Sequence, residues 1–139
     1  MAKRSIVRNP IITETAQLRE LRLRLEGAEK FTPFTENGWY NDIPKRPGVY
    51  AIWSLRNPET AVYVGESSNL QERLEQLGKT DNHTFAGQIA ARRGFTSDTD
   101  VKRAIKRHYI VSYIRIAFGR AELEEYLVTH WRTYRAPRF

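Results

Sequence analysis

Two short runs, residues 48–55 and 60–65, are crowded with Val, Ile, Tyr and Trp. Such side chains suit a pleated, half-buried surface. Between them lies Arg56-Asn57-Pro58-Glu59, a turn sequence. The pair predicts a β-hairpin, and a hairpin is stable only when something covers it. The remaining segments supply the cover. Tyr109 to Ala117 alternates like a third strand, with Ile110, Ile114 and Ile116 facing one way and Tyr109, Val111, Tyr113 and Arg115 the other. Helical stripes surround these strands. Thr13 to Glu26 carries Leu18, Leu21 and Leu25, with Gly27 as a stop. Asn69 to Leu77 carries Leu70, Leu74 and Leu77, with Ser67 or Ser68 able to cap it. Residues 83–93 place Phe85 and Ile89 on one side. Ser97-Asp98-Thr99-Asp100 resembles a capping box that opens a basic helix to about Arg107. A last helix is expected from about Ala121 to Tyr134, with Leu123, Leu127, Trp131 and Tyr134 as its stripe. The expected class is α+β: a small three-stranded antiparallel sheet, a hairpin plus a late strand, flanked by helices.

Residues 27–47 break this periodicity with Pro33, Asn37, Gly38, Asp42, Pro44 and Pro47. Phe31, Phe34, Trp39 and Tyr40 are expected to pack that loop onto the body. The division expected is an extension over residues 1–45 and a domain over residues 46–139.

A chain of 139 residues with 40% hydrophobic and 28% charged side chains can bury a core of its own. The absence of cysteine excludes a disulfide scaffold, a thiolate zinc site and a cysteine nucleophile. No run approaches the roughly 18 apolar residues that cross a bilayer. The basic start, Met1-Ala-Lys-Arg, is not followed by the apolar stretch of a secretory signal. An intracellular, cytoplasmic protein without a membrane partner is expected. Twenty-three Lys and Arg against sixteen Asp and Glu give a net charge of +7. Such a balance suits a polyanionic partner, and equally a well-solvated surface.

The chemistry concentrates in the hairpin. Gly48-Val49-Tyr50 is followed after twelve residues by Tyr63-Val64-Gly65, and Arg73 lies eight positions past the second glycine. Much later comes Leu123-Glu124, then Leu127-Val128. Phosphodiester hydrolysis needs a positioned water, neutralisation of a five-coordinate phosphate and help for the leaving oxygen. Two tyrosines on paired strands can aim hydroxyls into one pocket. A guanidinium grips phosphate oxygens with a planar fork. A single carboxylate suits Mg²⁺, which keeps most of its waters.

These motifs resemble the GIY-YIG nuclease family over roughly residues 46–139. The resemblance implies a divalent-metal-dependent endonuclease that hydrolyses DNA, RNA not being excluded, and leaves 5′-phosphate and 3′-hydroxyl ends. It implies Tyr50 as the residue that holds or activates the attacking water. Tyr63 would orient water or phosphate, and Arg73 would bind the scissile phosphate. Glu124 would be the ligand of one Mg²⁺ or Mn²⁺, with Glu125 as its competitor. Arg92, Arg93, Lys102, Arg103, Lys106 and Arg107 are the expected backbone contacts on nucleic acid, and Arg132, Arg135 and Arg138 form a second basic group.

Tyr109 and Tyr113 are expected to pack. His83, His108 and His130 lack a metal-ligand spacing, and the family's histidine, one turn after the arginine, is replaced here by Leu77. His83 or His108 is able to approach the site; otherwise the three histidines are expected at the surface. Glu66 stands where several relatives have lysine, and the asparagine that follows their Pro-x-aromatic would be residue 140, so its role is absent, is filled by Asn41, Asn69 or Asn82, or belongs to a longer chain. These two departures support an alternative: an inactive nucleic-acid-binding module on the same fold.

Overall fold

The computed structural model describes residues 14–132 and, as backbone, residues 134 and 135. The hairpin supplies the first two strands in chain order and lies at the centre of the sheet. Strand β1 (Gly48–Ser54) pairs antiparallel with β2 (Asn57–Ser67), Tyr50 opposite Gly65 and Ile52 opposite Tyr63. The turn is shorter than the sequence suggests, because Asn57 and Pro58 already belong to β2. Proline is tolerated there because the edge of β2 beside Pro58 has no neighbouring strand among the described residues, so no ladder donor is lost. The late strand β3 (Tyr109–Arg115) pairs with the other side of β1, Tyr50 opposite Tyr113. A two-residue strand β4 (Tyr134–Arg135) adds in parallel beside Tyr63 and Val64, giving the order β3-β1-β2-β4.

Period-two alternation splits these strands into two buried faces. One face carries Tyr50, Ile52, Tyr63 and Val111. It is covered by α2 (Leu70–Glu75), α3 (Thr84–Arg93) and α4 (Asp98–His108), through Leu70, Leu74, Leu77, Phe85, Ile89, Val101 and Ile105. The other face carries Val49, Ala51, Trp53 and Val64. It is covered by α1 (Ala16–Gly27) and α5 (Arg120–Trp131) through Leu18, Leu25, Leu123, Leu127 and Trp131. Each fully buried leucine contributes about 1.5–3 kcal/mol relative to exposure. Helix α1 is tied to the sheet by polar contacts as well: Trp53 Nε1 donates to Ser112 Oγ at 3.0 Å, and Ser112 Oγ donates to the Leu25 carbonyl at 3.2 Å. Phe31 bridges to Val111 on the outer edge of β3.

Three local expectations change. Helix α2 is capped by Asn69, whose side chain accepts from the Glu72 amide, while Ser67 binds the Asn69 backbone. Helix α5 ends at Trp131, because Arg132 turns left-handed at φ 54°, and Tyr134 joins the sheet instead. Helix α1 begins at Ala16 behind the cap Thr15; the predicted start at Thr13 lies outside the described residues, as do Pro137 to Phe139.

Candidate active site

Tyr50 and Tyr63 are diagonal neighbours on one face of the hairpin, the spacing from which long side chains reach each other. Their rings stack at 6.2 Å between centroids. Gly65 explains part of this arrangement. A Cβ at that position would stand 2.4 Å from the Tyr50 hydroxyl, so the Tyr50 ring lies across the strand where only glycine leaves room. Gly48 has a related role: a Cβ there would meet the Ile114 carbonyl at 2.3 Å and Leu70 at 2.5 Å. The glycines of the two tripeptides are clearances for a tyrosine, a strand and a helix.

The third member is a histidine. His83 is 1% exposed, and its Nε2 lies 2.9 Å from the Tyr50 hydroxyl. The sequence leaves a surface position and an approach to the site both open for it, and the structure places it in the site. It is buried because it caps α3: its Nδ1 accepts from the Phe85 amide at 3.1 Å, which turns the ring inward. An accepting Nδ1 leaves the ring proton on Nε2, so His83 donates to the Tyr50 oxygen. Burial and the nearby Arg73 charge lower the His83 pKa from 6.5 to about 3, so the ring is neutral at physiological pH. The visible sequence signal was a histidine just before the apolar pattern of α3, a position usually held by Ser, Thr, Asp or Asn. His108 is half-buried and His130 exposed.

Arg73 joins this group from α2. Its Nη1 donates to the Asn82 carbonyl at 2.8 Å and contacts Gln76 Oε1 at 3.4 Å. Both partners are neutral oxygens, so the guanidinium charge is not cancelled by them. Burial raises the Tyr50 pKa well above the ordinary phenol value, and Tyr63 adds to that shift while Arg73 opposes it. Burial also raises Tyr63, again against Arg73. Both are therefore neutral phenols. The Tyr63 hydroxyl is buried without a hydrogen-bond partner among the described residues, an unusual state that calls for a reason.

Glu124 lies half-exposed on α5 beside Leu123, and the buried side of α5 packs on the sheet face opposite the tyrosine rings. Among the described residues no group of three or more His, Asp or Glu forms a metal cage. A single carboxylate with water is still a sufficient protein contribution for Mg²⁺. Glu66, the departure noted above, is ion-paired with Arg120 at 3.0 Å. Its charge is compensated, and Arg120 precedes Glu124 by one helical turn.

The six basic residues are all exposed, but they do not form one stripe. Arg92 lines a cavity with Arg132 near Phe85 and Tyr109. Lys102, Arg103 and Lys106 line another, against the loop of residues 34–40. Tyr109 packs edge-on to Phe85 at 5.1 Å, and Tyr113 packs on Phe31 at 6.2 Å, as expected of structural tyrosines.

With two glycine-cleared tyrosines and an arginine on one face of a hairpin, the geometry can be set beside known families. The GIY-YIG catalytic domain family matches residues 46–135, well over half of the chain. The chain belongs to the GIY-YIG family. That family is one of nucleases, which makes nucleic acid the class of substrate. The match starts two residues before Gly48 and ends in β4, so it spans the whole sheet. No curated protein and no solved structure matches the chain significantly. No described helix is long and apolar enough to cross a membrane.

Proposed function

We propose that this GIY-YIG chain is a divalent-metal-dependent DNA endonuclease with Tyr50, Tyr63, Arg73 and Glu124 as its working residues. The observation that carries the reading is the buried tyrosine pair, with a fixed histidine donor behind Tyr50 and, beside it, an arginine whose hydrogen-bond partners among the described residues are neutral oxygens. In the reaction, a water oxygen attacks phosphorus and the P–O3′ bond breaks. The 3′ oxygen leaves as a hydroxyl and the phosphate stays on the 5′ side. Arg73 exchanges its neutral partners for phosphate oxygens, which bind a guanidinium more strongly. The two phenols, kept neutral by burial, orient the water by hydrogen bonds rather than as ready-made phenolates. His83 occupies one acceptor position on the Tyr50 oxygen, so the Tyr50 proton points away from it, toward the reacting group. Glu124 is the proposed ligand of Mg²⁺ or Mn²⁺, which supplies charge neutralisation at the phosphate when bound. Pairing of Glu66 with Arg120 removes one argument for an inactive binding module.

Supercoiled plasmid incubated with Mg²⁺, and in parallel with EDTA, tests the reading. Nicking or linearisation is expected only with metal. Arg73→Ala should slow it by about 10²-fold or more, the usual cost of losing one oriented charge at a transition state, with the thermal unfolding curve unchanged. Tyr50→Phe, which keeps the packing ring, should slow cleavage more than it weakens binding. Salt-sensitive DNA binding without any cleavage would instead establish the binding module.

A further inference from the structure

The loop that precedes the family domain and the basic helix α4 enclose a cavity of about 660 Å³. One wall is aromatic: Phe34, Trp39 and Tyr40. Trp39 meets Phe34 edge-on at 5.1 Å and Tyr40 nearly perpendicularly at 5.7 Å. The opposite wall is cationic: Lys79, Lys102 and Lys106, with Arg103 partly engaged by Asp100 at 3.3 Å. Glu36 and Glu75 also line the space, leaving cations in excess. Phe34 holds φ at 64°, a left-handed conformation that a bulky residue rarely adopts. Backbone outliers of that kind cluster at binding sites. Gly78 lets Lys102 and Phe34 approach, since a Cβ there would collide with Lys102 and touch Phe34. The short helix α2 gives Glu75 to the cavity and Arg73 to the tyrosine pair.

We infer that this cavity receives one unpaired nucleotide of the nucleic acid bound at the active site, its base against Trp39 and Tyr40 and its phosphates on Lys102 and Lys106. The inference rests on the nuclease reading for the identity of the partner. A cavity of this volume is in the range that takes one drug-sized group. Aromatic rings beside lysines form the usual platform for single strands, because every base has a π face and every link a charge. A base inside a duplex is stacked on its neighbours and cannot offer that face. The carboxylates of Glu36 and Glu75 give acceptors for exocyclic amines and none for phosphate.

The test uses intrinsic fluorescence of the full chain in EDTA. Trp53 and Trp131 are buried, at 1% and 7% exposure, so Trp39 is the tryptophan a ligand can quench. Oligothymidine of twelve residues should quench the signal, and Trp39→Phe should abolish the quench. A duplex of the same length should bind with little quench. An abasic twelve-mer should bind about tenfold more weakly, because stacking on aromatic side chains is lost. Lys102→Ala with Lys106→Ala should lower the slope of log affinity against log salt by about 1.4 for two single-strand contacts. No quench, equal quench by duplex, equal affinity for the abasic strand, or an unchanged salt slope would each overturn the proposal. Plasmid cutting without the quench removes only this cavity. The quench without cutting removes only the nuclease reading.

Discussion

Gly65 is the residue on which the tyrosine geometry most directly depends. Its missing Cβ leaves the space occupied by the Tyr50 ring and hydroxyl. In Gly65→Ala the new methyl meets atoms 2.4 Å away, and the strand cannot yield without disturbing both ladders. Overpacking of this kind costs about 1–3 kcal/mol. Denaturant midpoints should fall accordingly, and plasmid cleavage should drop at least as far as in Tyr50→Phe; normal cleavage would separate Tyr50 from the chemistry. His83 gives a second, pH-dependent outcome. Its ring takes a proton near pH 6.5 when unfolded but only near pH 3 when folded. Between those values the unfolded chain binds more protons, so stability is full above about pH 6.5 and declines as pH falls toward 3. One proton corresponds to a slope of at most about 1.4 kcal/mol per pH unit. His83→Asn keeps a side-chain cap for α3 but cannot reach Tyr50. Urea unfolding between pH 4 and 7 should show a flatter pH dependence in that variant than in the parent chain. Equal slopes would mean that His83 is not buried as a neutral ring.

Helix α4 shows how one element serves stability and charge together. Val101, Ala104 and Ile105 face the core, and Lys102, Arg103, Lys106 and Arg107 face water. Its start is fixed twice. Ser97 Oγ accepts from the Asp100 amide at 3.2 Å, and Asp98 Oδ1 accepts from the Thr80 amide at 3.2 Å and the Thr80 hydroxyl at 3.0 Å. Ser97→Ala should cost about 1 kcal/mol, the usual value of an N-cap. Thermal unfolding measures it. Cleavage should persist where the variant is folded, since Ser97 belongs to no part of the proposed site. Helix α5 poses the sharper question. Adjacent helical residues point about 100° apart, so Glu122, Glu124 and Glu125 face different directions. Glu124→Gln should bind DNA normally and fail to cut at any Mg²⁺ concentration. Glu122→Gln and Glu125→Gln should cut. Activity of the Glu124 variant would move the metal elsewhere.

Across the molecule, the sheet is a partition. The tyrosines, Arg73 and His83 lie on the face under α2, α3 and α4. Helices α1 and α5 pack the reverse face, so the first helix stiffens the sheet without entering the tyrosine pocket. The excess of positive charge has a global consequence. With a net charge of +7 and exposed cations on α3 and α4, affinity for DNA should fall steeply with salt. Fluorescence anisotropy of a labelled duplex between 50 and 200 mM NaCl, in EDTA, should show a linear decline of log affinity with log salt. A flat response would remove the electrostatic role of these residues.

The sequence by itself determined the three antiparallel strands, the helices around them, the family and the pairing of Tyr50 with Tyr63. Those follow from local rules: β-rich runs, apolar stripes, and a tyrosine spacing that fixes which side chains share a face. It also contained the capping serine of α4, because a cap is a contact between residues three apart. Tertiary structure decided what depends on distant segments meeting. His83 meets Tyr50 across 33 positions; the cap position is local, but the partner it turns toward is not. Glu66 looks like an intruding acid until Arg120, 54 residues away, is seen beside it. The stop of α5 at Trp131 depends on a left-handed Arg132, for which the sequence holds no glycine signal. The sequence marks the aromatic loop as a packing segment and α4 as a basic face, but only their approach creates a walled cavity. Short-range order is written in periodicity, whereas burial, tautomer and charge compensation belong to contacts the chain makes only once folded.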